Sequence, residues 1–117
     1  MSRLRSDFWV SAYLRRCAVE GLDAVLRRRG SAEAGAVFVK VDHLDGTASL
    51  YGPAPQSLVE SGSSDRQFTI MLDRVTPIEV EERVKREMRF DSDLWLVEVD
   101  SREGRHNLEL APDDGMP

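Results

Sequence analysis

The chain is 117 residues long, 41% apolar and 32% charged, with a formal net charge of −5 and a pI near 5.0. That length and composition describe one domain with its own core and exclude a single-sign disordered chain, while the acidic balance argues against a protein that coats nucleic acid. The single Cys17 excludes an internal disulfide and fits a reducing compartment, and no run approaches the ~18 apolar residues of a spanning helix.

Ser6 stands as an N-cap before Asp7, and Gly21 stands where a helix ends in a left-handed residue. Between them Trp9, Val10, Tyr13, Leu14, Cys17 and Ala18 share one arc of a helical wheel, which predicts a helix over 7–20. The alternation of Phe8, Val10, Ala12 and Leu14 also suits a strand. Residues 22–29 alternate Leu22, Ala24 and Leu26 and read as a strand, followed by the β-branched run 36–42. Asp45-Gly46 supplies a hairpin turn into a strand over 47–51, and these three strands are expected to form an antiparallel meander. Residues 52–65, punctuated by Gly, Pro and Ser, read as a mobile loop before a strand at 67–72.

Thr76-Pro77-Ile78-Glu79 combines an N-cap, a first-turn Pro and a capping-box Glu, so a second helix is predicted over 76–90. Its apolar stripe is narrow (Val80, Val84, Met88), and Glu79/Arg83, Glu81/Lys85 and Glu82/Arg86 are spaced to pair along its surface. A last strand falls at 94–100. The prediction is an α+β domain over 1–110, with a mainly antiparallel sheet of five strands, two helices and a flexible tail at 111–117.

Charge is unevenly placed. Residues 1–30 hold seven Arg (Arg3, Arg5, Arg15, Arg16, Arg27, Arg28, Arg29) against Asp7, Glu20 and Asp23, a balance of +4, and the remainder of the chain carries −9. Because guanidinium pairs with phosphate and carboxylate in a bidentate fork, these arginines are the candidate anion- or partner-binding residues. If the first strand runs back along the first helix, they form a rim and not one dense patch. The plainer reading is that they keep the surface solvated and pair with the acidic body.

Catalytic and metal patterns fail residue by residue. Asp42-His43-Leu44-Asp45-Gly46 offers ligands, but a calcium loop begun at Asp42 would place Pro53 at its twelfth position and its Gly one place early. Cys17, His43 and His106 lack zinc spacing. The order of helix, strands, helix and strand resembles a restriction-endonuclease-like core, yet the residue two before Lys40 is Phe38 where that chemistry needs a carboxylate. There is no nucleophile elbow, Walker loop or dinucleotide fingerprint, and Cys17 sits on the apolar arc as a buried thiol. No catalytic residue, cofactor or metal is predicted, and Trp9 and Trp95 read as core anchors.

The segments Asp7–Arg16, Gly35–Lys40, Leu50–Pro55 and Phe90–Trp95 resemble a family of small uncharacterised bacterial proteins catalogued as a domain of unknown function. The resemblance spans about residues 6–108 and implies a bacterial cytosolic protein without transferring any catalytic residue. The expected function is a non-catalytic binding or accessory module whose partner is another protein docking on the first helix, the basic rim or loop 52–65. The alternative is a nucleic-acid accessory protein using its Arg-rich N-terminal face. Without an apolar leader in Met-Ser-Arg-Leu-Arg-Ser-Asp, a cytoplasmic place and no membrane contact are expected. The sequence carries no signal for an oligomeric state.

Overall fold

The computed structural model describes residues 4–55 and 66–112. Its elements are α1 (Ser6–Val19), β1 (Asp23–Arg28), β2 (Val37–Asp42), β3 (Ala48–Pro53), β4 (Phe68–Val75), α2 (Pro77–Phe90) and β5 (Trp95–Asp100). The five strands make one sheet in the order β1-β5-β2-β3-β4, antiparallel except for the β2–β5 pair. The fold is therefore α+β, as the patterning predicts.

The expected meander β1–β2–β3 is not what forms. β5 inserts between β1 and β2, pairing antiparallel with β1 and parallel with β2. The reason lies in burial. Leu94–Val99 is apolar on both faces apart from Glu98, so it needs cover on both sides and takes the centre, as strands of a parallel pair do. β1, with mostly exposed side chains and a bulge at Arg27, takes the edge.

Side chains alternate across the two central strands. Val37, Val39, Val41, Trp95, Val97 and Val99 face one side and pack with Val10, Tyr13 and Cys17 of α1. Phe38, Leu94 and Leu96 face the other and pack with Val80 and Val84 of α2. One helix thus covers each face of the sheet. Both helices owe their termini to local chemistry. Gly21, at φ +74°, closes α1 in a Schellman arrangement, with Gly21 N–H donating to the Ala18 carbonyl and Leu22 N–H to that of Cys17.

Ser6 does not cap α1 as expected. It is the first helical residue, it is buried, and its hydroxyl donates to the Gly35 carbonyl at 2.7 Å, so a tertiary bond has claimed the side chain. The capping box at Thr76 is present in full. Thr76→Ala should therefore lower stability by about 0.5–2 kcal/mol through an orphaned Glu79 amide. An unchanged denaturation midpoint would show that the box contributes nothing.

The surface pairs expected along α2 do not form. Glu79 is taken by the cap, Glu81 reaches across to Lys40 and Arg27, and the ion pair along the helix is Arg83–Glu87 at 2.9 Å. The hairpin turn is broader than Asp-Gly alone: Leu44 and Gly46 both have positive φ, and His43 N–H donates to the Thr47 carbonyl. Of the 52–65 stretch, Gly52 and Pro53 belong to β3, and 56–65 lies outside the described residues, as does 113–117 of the expected tail.

Candidate functional site

The seven arginines do not converge. Arg3 lies outside the described residues. Arg5, at the start of α1, pairs with Asp7 and Glu33 and lies over the Phe8 ring. Arg15 is exposed on the outer face of α1. Arg27, on the α2 face of β1, is held by Glu81 and Glu98. Arg28 donates to the Ser92 carbonyl, and Arg29 sits over the Trp95 ring. Hydrogen bonds that the Arg27 guanidinium donates to Glu81 and Glu98 hold it protonated, against burial that works the other way. Arg5 and Arg27 are thus neutralised by carboxylates of this chain, while Arg28 and Arg29 are held by a carbonyl and a ring and carry no ion pair among the described residues.

Arg16 is different. Its guanidinium donates to the Asn107 carbonyl at 2.7 Å and makes no ion pair among the described residues. It lines a cleft of about 370 Å³ with Trp9, Glu20, Arg66, Asn107, Leu108 and Glu109. Trp9 and Arg16 of α1 and Glu20 just beyond its end are spaced seven and four residues apart on one side, so this lining spans roughly 16 Å along the helix axis.

The opposite wall is the segment after β5. Ser101 Oγ accepts from Arg105 N–H, the Tyr13 hydroxyl donates to the His106 carbonyl, and Phe68 N–H donates to the Glu109 carbonyl, so 105–110 is laid across the α1 face and along the edge of β4. Asn107 takes φ +56°, a conformation Asn tolerates. Trp9 stacks on Tyr13 at 4.9 Å and is only partly buried. Trp95, in contrast, is a core anchor, its indole N–H donating to the Ser31 carbonyl. Cys17 is buried below the cleft, and burial pushes its thiol up, which keeps it protonated and unreactive.

The wall has a proton-sensitive clasp. Leu108 N–H donates to His106 Nδ1 at 2.9 Å, a role only the neutral ring can fill, and burial holds the ring below its ordinary value of 6.5. The unfolded chain therefore binds the proton more readily. Stability is complete above that ordinary value and is lost as pH falls from it toward the lowered folded one. Denaturation curves between about pH 5 and 7 should show this loss, and His106→Phe, which keeps a ring against Tyr51 4.7 Å away, should remove it. An identical pH dependence in both proteins would contradict the assignment.

On the other face of the sheet lies a constellation that spacing could not reveal. The Lys40 ammonium, in a residue only 5% exposed, bonds Glu81 at 2.7 Å and lies 3.9 Å from Glu98, which also holds Arg27. Burial raises the Glu81 carboxyl, but hydrogen bonds from Lys40 and Arg27 outweigh it and hold it below the usual range. Because β2 and β5 run parallel in register, Asp42 and Asp100 lie side by side two residues on, and with Glu98 they bring three carboxylates within 4.8 Å. Burial and then the charges of Glu98, Asp42 and Asp23 raise Asp100. These oxygens are the candidate cation ligands among the described residues. Asp42 already accepts from Leu44 N–H as a turn residue, and Lys40 offsets part of the charge.

A helix on each face of a five-stranded mixed sheet, with a cleft between the first helix and the segment following the last strand, defines a small α+β domain. Residues 4–109 match the protein family of unknown function DUF1491, and the chain belongs to that family. It is similar to the solution structure of Atu0922 from A. tumefaciens (38% identity, TM-score 0.80, covering 98% of this chain and all of that one). It is also similar to a DUF1491 family protein from Caulobacter crescentus CB15, in a crystal structure (32% identity, TM-score 0.75, 95% and 100% covered) and an NMR structure (35%, 0.75, 97% and 100%). No curated protein matches the chain. No helix of the described residues is long and apolar enough to cross a membrane.

Proposed function

We propose that the protein is a non-catalytic binding module that docks another protein along α1. The observation that carries this reading is the outer face of that helix. Phe8, Ala12, Arg15 and Val19 fall on one line at spacings of four, three and four residues, and Phe8 and Val19 are 55% and 81% exposed. α2 also exposes Ile78 and, at its end, Phe90, but along the line of Ile78 the next positions at the same spacings are Glu82, Lys85 and Arg89, so that face turns charge to water. α1 instead carries an apolar ridge with a single cation in it. Large exposed apolar side chains gathered on one face are a mark of a protein-binding surface.

The dispersal of the arginines supports a protein partner over nucleic acid. A phosphate-tracking surface needs contiguous free cations, and Arg5 and Arg27 are engaged by carboxylates of this chain. The test is a photo-crosslinking amino acid placed at Ala12 or Arg15 on α1, and at Glu82 or Arg86 on α2 as controls, in cells that make the protein. The expected result is one discrete protein adduct from the α1 positions alone, lost when Phe8→Ser and Val19→Ser are added. Adducts to nucleic acid at Arg15, or equal protein adducts from both helices, would overturn the reading.

A further inference from the structure

The cleft beside the ridge has the dimensions and chemistry of a subsite for part of such a partner. We propose that it takes a short extended segment of acidic peptide, anchored by a carboxylate on the Arg16 guanidinium. This rests on the reading of α1 as a docking face and adds to it the chemistry of what is bound.

Three features carry it. First, Arg16 is fixed rather than waving: one nitrogen donates to the Asn107 carbonyl at 2.7 Å, and its side chain lies along the Tyr13 ring at 5.9 Å. The remaining donors of a rigid planar fork suit a carboxylate, and holding the fork in advance lowers the entropy lost on binding. Arg66, two residues before β4, adds a second positive charge to the same lining and is itself tied to the Leu4 carbonyl and Ser6 hydroxyl. Second, the lining of the cleft follows the helix from Trp9 to Glu20. At about 3.3 Å per residue, a length of roughly 16 Å accepts about five residues of extended chain. The partly buried indole of Trp9 offers a flat apolar surface at one end.

Third, Glu20 and Glu109 stand in the same lining as the two arginines. A polyphosphate backbone laid along this lining would set its closely spaced charges against these carboxylates. A peptide bearing separated carboxylates can seat one on Arg16 and turn an amide N–H toward Glu20, while Glu109 already accepts from the Gln67 amide at 3.0 Å. The mixed lining therefore favours acidic peptide over nucleic acid.

The test is a titration of the full chain followed by NMR, with an acetylated and amidated Gly-Glu-Gly-Glu-Gly peptide as the probe. Controls are the same peptide with Gln for Glu, pentaglycine with a free terminal carboxylate, and oligothymidylate. The expected result is a shift of the Trp9 indole and Asn107 amide signals by the Glu peptide, with the buried Trp95 indole unmoved. Arg16→Gln should weaken the Glu peptide at least about tenfold with an unchanged melting curve, and Arg16→Lys should restore only part of the loss. A response to pentaglycine alone would assign the carboxylate to a chain terminus instead of a side chain and overturn the internal-segment form of the proposal. Equal response to the Gln peptide, no movement of Trp9, or displacement by oligothymidylate would each overturn it outright. Crosslinks from α1 that survive Arg16→Gln alongside a silent titration would leave the docking face standing and the cleft assignment refuted.

Discussion

Replacing Glu81 and Glu98 together by Gln should cost about 3–5 kcal/mol, because it strands the Lys40 ammonium in the sheet without a carboxylate. The Lys40 side chain is 7% exposed and its two charge partners are these two residues. Arg27, more exposed, can turn to water when it loses the same partners. Adding Lys40→Met to the double variant should recover most of the loss, since the buried charge then disappears and an unbranched apolar chain fills its place between Phe38 and the β3 strand. Chemical denaturation of the three proteins checks this. A double variant as stable as the parent, or a triple variant less stable than the double, would show that Lys40 is solvated in a way its burial does not indicate.

The second large effect is expected at Gly30. A Cβ built there would lie 2.0 Å from the Asp93 carbonyl oxygen and 2.7 Å from the Leu94 backbone, and at Gly35 one would lie 2.2 Å from the same Asp93 oxygen. Neither glycine is required by a positive φ. Both are required by space, where the chain between β1 and β2 crosses the entry to β5. The crossing is tied by Ser31 N–H to Asp93, Trp95 N–H to Ala36 and the Trp95 indole to Ser31. Gly30→Ala must push backbone against backbone, so it should destabilise by on the order of 3 kcal/mol or more, at the upper end of overpacking. Gly21→Ala, with nothing within 4 Å but a φ of +74°, should cost only about 1 kcal/mol from left-handed strain. If the two variants melt together, the close approach at Gly30 is not a constraint on the fold.

The recovery of the elements from the chain itself has a simple physical basis. Helix and strand periodicities, the Thr76 box and the Gly21 terminator are local signals, and each of the seven elements lies within about two residues of its expected place, except that β4 runs on to Val75. The sidedness of Leu22 and Ala24 and the narrow stripe of α2 follow from the same periodicities. Strand order does not, because periodicity says how a strand is buried and not which neighbour it pairs with.

That difference explains what was missed at the sites. Lys40 entered the sequence reading only as a failed nuclease position, and its burial between apolar neighbours is what obliges it to find a carboxylate. Its partners Glu81 and Glu98 come from a helix and a strand some forty to sixty residues later: the parallel pairing of β2 with β5 brings Glu98 beside it, and the packing of α2 on that face brings Glu81. The cleft is decided in the same way: Trp9 and Arg16 belong to the first helix and Asn107 and Glu109 to the last described segment, brought together by bonds from Tyr13 and Phe68 that no spacing rule encodes. By itself the sequence determined which residues form helices and strands and how each is buried, since those depend on neighbours within a turn or a pleat. The tertiary structure alone decided which arginines are neutralised and which line a cleft, since ion pairs form between side chains that the sheet order makes adjacent.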